Sequence, residues 1–149
     1  MTKPAYMIVG VVIHDANIFH QHAEGAVPLL PRLGATVMSA VSDIECLRGD
    51  GAPDRLVVLK FKSLVTARAF YNSPEYAPYK IMRESCSDSH IMLIEGTTNE
   101  DAASAAAQGA PHYVLGLSDY LSVSWVEEYQ EKVLPIVAKY GSVVLSKLD

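Results

Sequence analysis

Four short apolar runs, separated in turn by a helix-like stretch, a loop and a second helix-like stretch, limit what this chain can fold into. Each run is rich in β-branched residues or leucine and is too short for a helix, which is typical of buried strands. The runs cover residues 6–13, 35–42, 55–61 and 90–95. The chain therefore has to pair four strands and cover them with two helical regions.

The stretch between the first and second runs carries apolar residues at helical spacing. Asp15 or Asn17 is placed to cap this helix, and Gly34 supplies its end. Pro28 and Pro31 fall inside it, and because each proline removes a backbone donor, we expect a kink or a loosened final turn. The apolar positions are Phe19, Ala23, Ala26, Val27, Leu30 and Leu33.

The second helix-like stretch lies between the third and fourth runs and has two parts. Ser63 can cap the first part, and Ser73 with Pro74 starts the second. Residues 43–54 are rich in glycine and aspartate and form a loop. The order β-α-β-β-α-β predicts an α+β, ferredoxin-like domain over residues 6–96, with two helices on one face of a four-stranded antiparallel sheet.

The same pattern restarts near the C-terminus. Position 113 follows position 6 by 107 residues, as 135 follows 28 and 141 follows 34, and the matched pairs are tyrosine, proline and glycine. The spacing predicts a strand over 113–120, a helix opened by a capping box from Ser124 to Glu127, and a strand over 142–148. We interpret residues 113–149 as a partial second repeat, a β-α-β half.

A half repeat of this kind cannot be stable alone. In the ferredoxin-like arrangement its two strands are not neighbours, so it must pack on the complete unit or on another chain, or else derive from a shortened gene. The alanine-rich residues 97–112 form either a flexible linker or a short helix, since alanine is the best helix former.

Composition excludes several classes of protein. The net charge of −5 disfavours nucleic-acid binding, which needs a basic surface. No window of 18 residues is apolar enough for a membrane helix, and no secretory signal is clear. Cys46 and Cys86 lack CxxC spacing, which favours free thiols in a reducing cytoplasm. No nucleotide-binding, hydrolase or zinc motif is present, so we expect no cofactor and no metal.

Candidate chemistry rests on histidines and on one polar aromatic cluster. The five histidines show no HxxxH spacing. His14 and Asp15 could act as a base and its orienting acid only in a turn, because adjacent strand residues face opposite sides. Tyr76, Tyr79 and Arg83 share a helical face, where Arg83 either holds a carboxylate or enolate in a pocket wall or pairs with Glu95 or Asp15.

These features together resemble the domain-of-unknown-function 1330 family of the dimeric α+β barrel superfamily. The resemblance covers residues 6–96 well and 113–149 as a partial second copy. This chain departs from the family pattern at Ala35, Arg48 and Lys60, and at His22, where a tyrosine is usual. The shared motif comprises Tyr6, Asp15, Gly34, Gly49, Arg55, Phe61, Ala67, the Ser73-Pro74-Glu75-Tyr76 run, Arg83, Glu95 and Gly96.

The resemblance implies a homodimer in which two sheets meet face to face, with small cavities between sheet and helices. We expect such a cavity to bind a small, weakly polar organic molecule, and related barrel families add cofactor-independent acid/base or oxidative chemistry. The alternative is a non-catalytic module for homo-oligomerisation or protein interaction. Candidate residues are His14, Asp15 and His22 for catalysis, Tyr71, Tyr76, Tyr79, Arg83 and Glu95 for ligand binding, and Trp125 and Tyr129 for an interface.

Overall fold

The computed structural model describes residues 2–96 and 112–146. The chain divides after Gly96 into two compact units. The first unit holds four strands and four helices in the order β-α-α-β-β-α-α-β. These are β1 (Ala5–Ile13), α1 (Ala16–Ala26), α2 (Leu29–Arg32), β2 (Thr36–Val41), β3 (Arg55–Phe61), α3 (Leu64–Tyr71), α4 (Ala77–Cys86) and β4 (Ser87–Glu95).

The four strands form one antiparallel sheet in the order β2-β3-β1-β4. Ala5 and Met7 of β1, with Leu59 and Phe61 of β3, belong to the hydrophobic core that also includes Phe70 of α3. The register aligns these odd-numbered positions on one face of the sheet, which is the face covered by the helices. The predicted α+β, ferredoxin-like sheet is therefore confirmed.

The first helical region breaks where its prolines predict a break. Oδ1 of Asp15 accepts from the backbone N–H groups of Asn17 and Ile18, both at 3.0 Å, and so begins α1. The helix is interrupted at Val27 and Pro28 and resumes as the single turn of α2. Gly34 then adopts φ 85°, a left-handed conformation that glycine tolerates best, and the chain turns into β2.

Two boundaries in the second helical region differ from the prediction: the start of α4 and the start of β4. Ser63 caps α3 as expected, but α4 begins at Ala77 rather than at Ser73. The Ser73 hydroxyl instead accepts from the Tyr76 N–H at 3.2 Å and holds a turn that leads into the helix. At the other end α4 runs directly into β4, which starts at Ser87 because pairing with β1 continues to Ile13.

The second unit contains one helix among its described residues, α5 (Val126–Lys139), and Gly141 closes it at φ 76°. The predicted strand over 113–120 is wrong, and residues 142–146 of the last predicted strand are not extended into a sheet either. A strand needs a neighbouring strand for its backbone N–H and C=O groups, and neither segment joins a β-ladder in the described part of the chain. Residues 97–111 and 147–149 of the predicted linker and strand lie outside the described residues.

The predicted capping box is also wrong. Trp125 is the N-cap of α5, and no side chain caps the helix there. The hydroxyl of Ser124 lies 3.0 Å from that of Ser122, so it is engaged on the N-terminal side of the helix.

Within the described ranges, none of the helices has both the length and the apolar character that crossing a bilayer would require.

Candidate functional site

Arg83 lies at the centre of a buried polar cluster where α4 meets the start of β4. Its side chain is almost fully buried, with 2% of the residue exposed. Nη1 donates to the Tyr76 hydroxyl at 2.6 Å and Nε donates to the Ser89 hydroxyl at 3.2 Å. Nη2 lies 3.7 Å from Oε1 of Glu84, which is beyond hydrogen-bond distance. A guanidinium is therefore held in a fixed orientation while its charge is only partly compensated.

Aromatic packing fixes the Tyr76 end of this cluster. The ring centroids of Tyr76 and Phe70 lie 4.7 Å apart, and those of Phe70 and Phe61 lie 5.4 Å apart, which links Tyr76 to the core. Burial raises the pKa of the Tyr76 hydroxyl above its usual 10.0, and the positive charge of Arg83 works in the opposite direction. Tyr76 is thus a neutral phenol at physiological pH, anchored in the core and oriented by Arg83.

His22 on α1 lies against the same helix. Its Nδ1 lies 2.8 Å from the carbonyl oxygen of Tyr79, and because a carbonyl can only accept, Nδ1 carries the proton and Nε2 the lone pair. Burial lowers the pKa of His22 below 6.5, the hydrogen bond to Tyr79 opposes this, and the charge of Arg83 lowers it further. His22 is therefore a neutral imidazole in the folded protein at neutral pH.

The Tyr79 ring packs directly on the backbone of α1. A Cβ atom added at Gly25 would lie 2.0 Å from Cε1 of Tyr79, so this glycine lets α1 and α4 approach closely. The two helices share the largest helix–helix contact of the unit. The hydrogen bond from His22 and the packing of Tyr79 on Gly25 together hold α4, the helix that carries Arg83, against α1.

An open cleft of about 740 Å³ lies beside this cluster. Tyr71, Arg83 and Glu84 form its helical wall, and residues 87–91 at the start of β4 form the other wall. Lys80 Nζ lies 4.0 Å from the centroid of the Tyr71 ring and holds that ring in a cation–π contact. The cleft thus combines an aromatic face, a buried guanidinium and the edge strand of the sheet.

The remaining predicted site residues lie elsewhere. Asp15 is occupied as the N-cap of α1, and His14 pairs through Nε2 with Oδ2 of Asp88 at 2.8 Å rather than with Asp15. Glu95 pairs with Lys3 at 3.3 Å at the far end of β4, about 20 Å from Ser89 at about 3.3 Å per strand residue. The structure thus brings together His22, Tyr71, Tyr76, Tyr79 and Arg83, but leaves His14, Asp15 and Glu95 apart from them.

Trp125 and Tyr129 belong to the second unit. The Trp125 ring makes edge-to-face contacts with Tyr120 at 5.3 Å and with Tyr129 at 5.4 Å. Trp125 is 43% exposed and Tyr129 53% exposed, so the cluster retains apolar surface.

Sequence reasoning did not anticipate Ser89 as a member of the Arg83 cluster or Asp88 as part of the cleft wall. Ser89 orients Arg83 from the opposing strand, and Asp88 binds His14. The signal that could have found them is the polar run Ser87-Asp88-Ser89, which lies directly before the predicted strand at 90–95 and was left out of that strand because it breaks the apolar pattern. Among the described residues, no group of three or more histidine, cysteine, aspartate or glutamate side chains could hold a metal ion.

Comparison with solved structures relates the fold to other proteins. RPA0582, a protein of unknown function from Rhodopseudomonas palustris, is 17% identical, with a TM-score of 0.57 over 66% of this chain and 86% of that chain. SnoaB, a cofactor-independent oxygenase from Streptomyces nogalater, is 12% identical, with a TM-score of 0.48 over 66% of this chain and 98% of that chain. None of the curated proteins compared with the chain matches it significantly.

The likeness to RPA0582 at this identity shows the fold alone. The family is shown by the sequence. A family model described as a domain of unknown function, DUF1330, matches residues 4–97. That range contains all four strands and the whole Arg83 cluster. The chain belongs to the DUF1330 family.

Proposed function

We propose that this protein binds a small organic molecule bearing a carboxylate or an enolate, with the anionic group on Arg83 and the body of the molecule against Tyr71. The observation that carries the proposal is a buried guanidinium at the wall of an open cleft, with incomplete charge compensation.

Burial makes a charge costly unless it is paired and hydrogen-bonded. Among the described residues, the Arg83 side chain has two partners at hydrogen-bond distance, the neutral hydroxyls of Tyr76 and Ser89. Neutral acceptors orient a guanidinium without cancelling its charge, and the nearest carboxylate, Glu84, has a 55% exposed side chain. A bound carboxylate could take the Nη2 donors in the geometry for which arginine is suited.

The test is a titration of the full chain with benzoate, followed by the shifts of backbone amides in NMR spectra. Benzamide, which has the same ring without the charge, is the ligand control. We expect benzoate to shift the amides of residues 83–91 and to bind at least about ten-fold more tightly than benzamide, since a charged hydrogen bond contributes about 1.5–3 kcal/mol.

Two variants decide whether Arg83 carries that binding. Arg83→Lys keeps the charge without the planar fork, and Arg83→Met removes it. Glu95→Gln, at the far end of β4, is the matched control and should bind like the parent. Equal affinity for benzoate in Arg83→Met, with its far-UV spectrum retained, would refute the proposal.

Cofactor-independent acid/base or oxidative chemistry by His14, Asp15 and His22 is a separate prediction. None of the three lines the cleft beside Arg83. Binding at that cleft and catalysis by those residues can therefore be tested apart, the latter by turnover in His22→Gln and His14→Gln.

We also propose a homodimer in which the sheet faces opposite the helices meet. This face presents Val12 and Val41, which are 45% and 40% exposed, whereas Tyr6, Ile8 and Val58 on the same face are already buried within the chain. The second unit separately exposes the apolar side chains of Trp125 and Tyr129. Such a dimer could equally serve a non-catalytic interaction module. Native mass spectrometry separates the cases: a dimer with added small-molecule mass favours the binding protein, a clean dimer favours the module, and a monomer refutes the shared barrel.

We also propose that residues 113–149 derive from a partial duplication of the N-terminal sequence, of which the described residues keep the helix but not the strands. Supporting it, Gly141 and Gly34 lie 107 residues apart and both adopt left-handed φ, and α5 ends at Lys139 as α2 ends at Arg32. A cytoplasmic location is supported by Cys46 and Cys86 being free thiols.

A further inference from the structure

The cleft runs along the edge of the sheet. In the strand order, β4 has β1 on one side only. The His14 N–H donates to the Cys86 carbonyl at 2.8 Å, and the Gly96 N–H donates to the Pro4 carbonyl at 2.8 Å. In an antiparallel pair the hydrogen-bonded positions alternate, so even-numbered residues of β4 direct their backbone groups to β1.

The odd-numbered residues of β4 consequently direct their N–H and C=O groups outward. Ser87, Ser89 and Ile91 are three of these residues, and all three line the cleft. In the part of the chain that the structure describes, no further strand pairs with this edge. The cleft therefore offers a row of main-chain donors and acceptors as well as the Arg83 guanidinium.

The two edges of the sheet differ in how they are protected. The other edge strand, β2, has an irregular register with β3 between Val37 and Ser39, as in a β-bulge. β4 pairs with β1 in an unbroken register from Glu95 to Ser87 and contains no proline. Bulges, prolines and charged side chains all hinder strand addition. β4 has no bulge or proline, and its two acidic side chains, Asp88 and Glu95, are paired with His14 and Lys3, so β4 is the less protected edge.

We infer that the cleft binds the C-terminal end of an extended peptide, which adds to β4 as a fifth, antiparallel strand with its terminal carboxylate on Arg83. Addition of a strand to a sheet edge with capture of a terminal carboxylate is a common way to recognise peptides. The direction follows from position: Arg83 contacts Ser89, near the start of β4, so the peptide extends toward Ile91 and runs opposite to the strand. This inference rests on the anion site of the proposed function and names its ligand class.

The experiment uses N-acetyl-trialanine with a free carboxylate, its C-terminal amide, and two isomers N-methylated at successive peptide bonds. Each ligand is titrated into the full chain, and the backbone amides are followed by NMR. Acetate, titrated in the same way, reports the anion site alone.

We expect the peptide acid to bind at least about ten-fold more tightly than acetate or the peptide amide, and to shift the amide protons of Ser89 and Ile91. Because N–H groups of an extended strand point alternately to opposite sides, one N-methyl isomer should lose about ten-fold in affinity while the other binds like the parent. Arg83→Met should bring the peptide acid to the affinity of the peptide amide.

The contrary outcomes are distinct. If acetate binds through Arg83 but the peptide binds no more tightly and both N-methyl isomers equal the parent, the strand addition is refuted and the anion site stands. If neither acetate nor peptide binds, both fail. If the Ser89 and Ile91 amides shift with protein concentration alone, the edge pairs with a second copy of this chain and the peptide inference is refuted.

Discussion

Tyr79 couples two helices through a single side chain and its backbone. Its ring lies over Gly25 and its carbonyl accepts from His22, so residues on α1 and α4 constrain each other. In an exposed helix, replacing glycine by alanine stabilises a protein by about 1 kcal/mol. At Gly25 we expect the opposite sign, because the new Cβ would overlap the Tyr79 ring.

The Gly25→Ala variant should lose about 1–3 kcal/mol of unfolding free energy, the usual cost of overpacking, as measured by urea denaturation. The control is the same substitution in a Tyr79→Ala background, where the overlap is absent and alanine should be neutral or stabilising. A stabilised Gly25→Ala single variant would show that the ring moves aside at no cost.

His22 should make stability depend on pH. The pKa of His22 is lowered on folding, so below about pH 6.5 the unfolded chain binds a proton more readily than the folded chain does. His22 therefore costs no stability above that pH and reduces stability progressively as the pH falls through the interval down to its folded pKa.

The measurement is the change in urea midpoint between about pH 7.5 and about pH 5.5, which brackets the unfolded pKa of histidine. His22→Gln, which can still donate to the Tyr79 carbonyl, should show a smaller change than the parent protein. His20→Gln is the matched control, since His20 lies on the same helix with a 74% exposed side chain. Equal changes in both variants would contradict the assignment.

At the scale of the element, Asp15 distinguishes a structural role from a catalytic one. Its carboxylate accepts two backbone N–H groups at the start of α1. Asp15→Ala should cost about 1 kcal/mol, whereas Asp15→Asn, an equally good cap, should cost much less. Thermal or urea unfolding of both variants measures this, and an Asp15→Ala protein as stable as the parent would show that the cap contributes nothing.

The elements differed in how well their ends could be predicted. The start of α1 and the break at Pro28 follow from local chemistry, a side-chain cap and a missing donor, and both are confirmed. The start of β4 at Ser87 does not, because Ser87, Asp88 and Ser89 are polar and become a strand only by pairing with Ile13, Val12 and Val11. For the same reason, the sequence did not indicate that residues 87–89 form part of the cleft wall.

At the scale of the whole molecule, the first unit contains its own core. Every buried residue of the hydrophobic cluster lies in the range from Ala5 to Tyr76. The pairing of β4 with β1 ends with a hydrogen bond from the Gly96 N–H to the Pro4 carbonyl. We therefore expect a chain truncated after Gly96 to keep its far-UV circular dichroism and to unfold cooperatively in urea. An unfolded truncated chain would show that residues 97–149 are required for the fold.

What the sequence by itself determined is the order and type of the elements in the first 96 residues, together with the family to which they belong. Caps, prolines, glycines and apolar periodicity act over a few residues, so they can be interpreted without knowing the neighbours. Only the tertiary structure decided that Arg83 binds Tyr76 and Ser89 rather than Glu95 or Asp15. It also decided that the strands expected after residue 112 do not form in the described chain. Both outcomes depend on which groups meet across long sequence separations, since a charge needs a counter-group and a strand needs a neighbour, and local patterns specify neither.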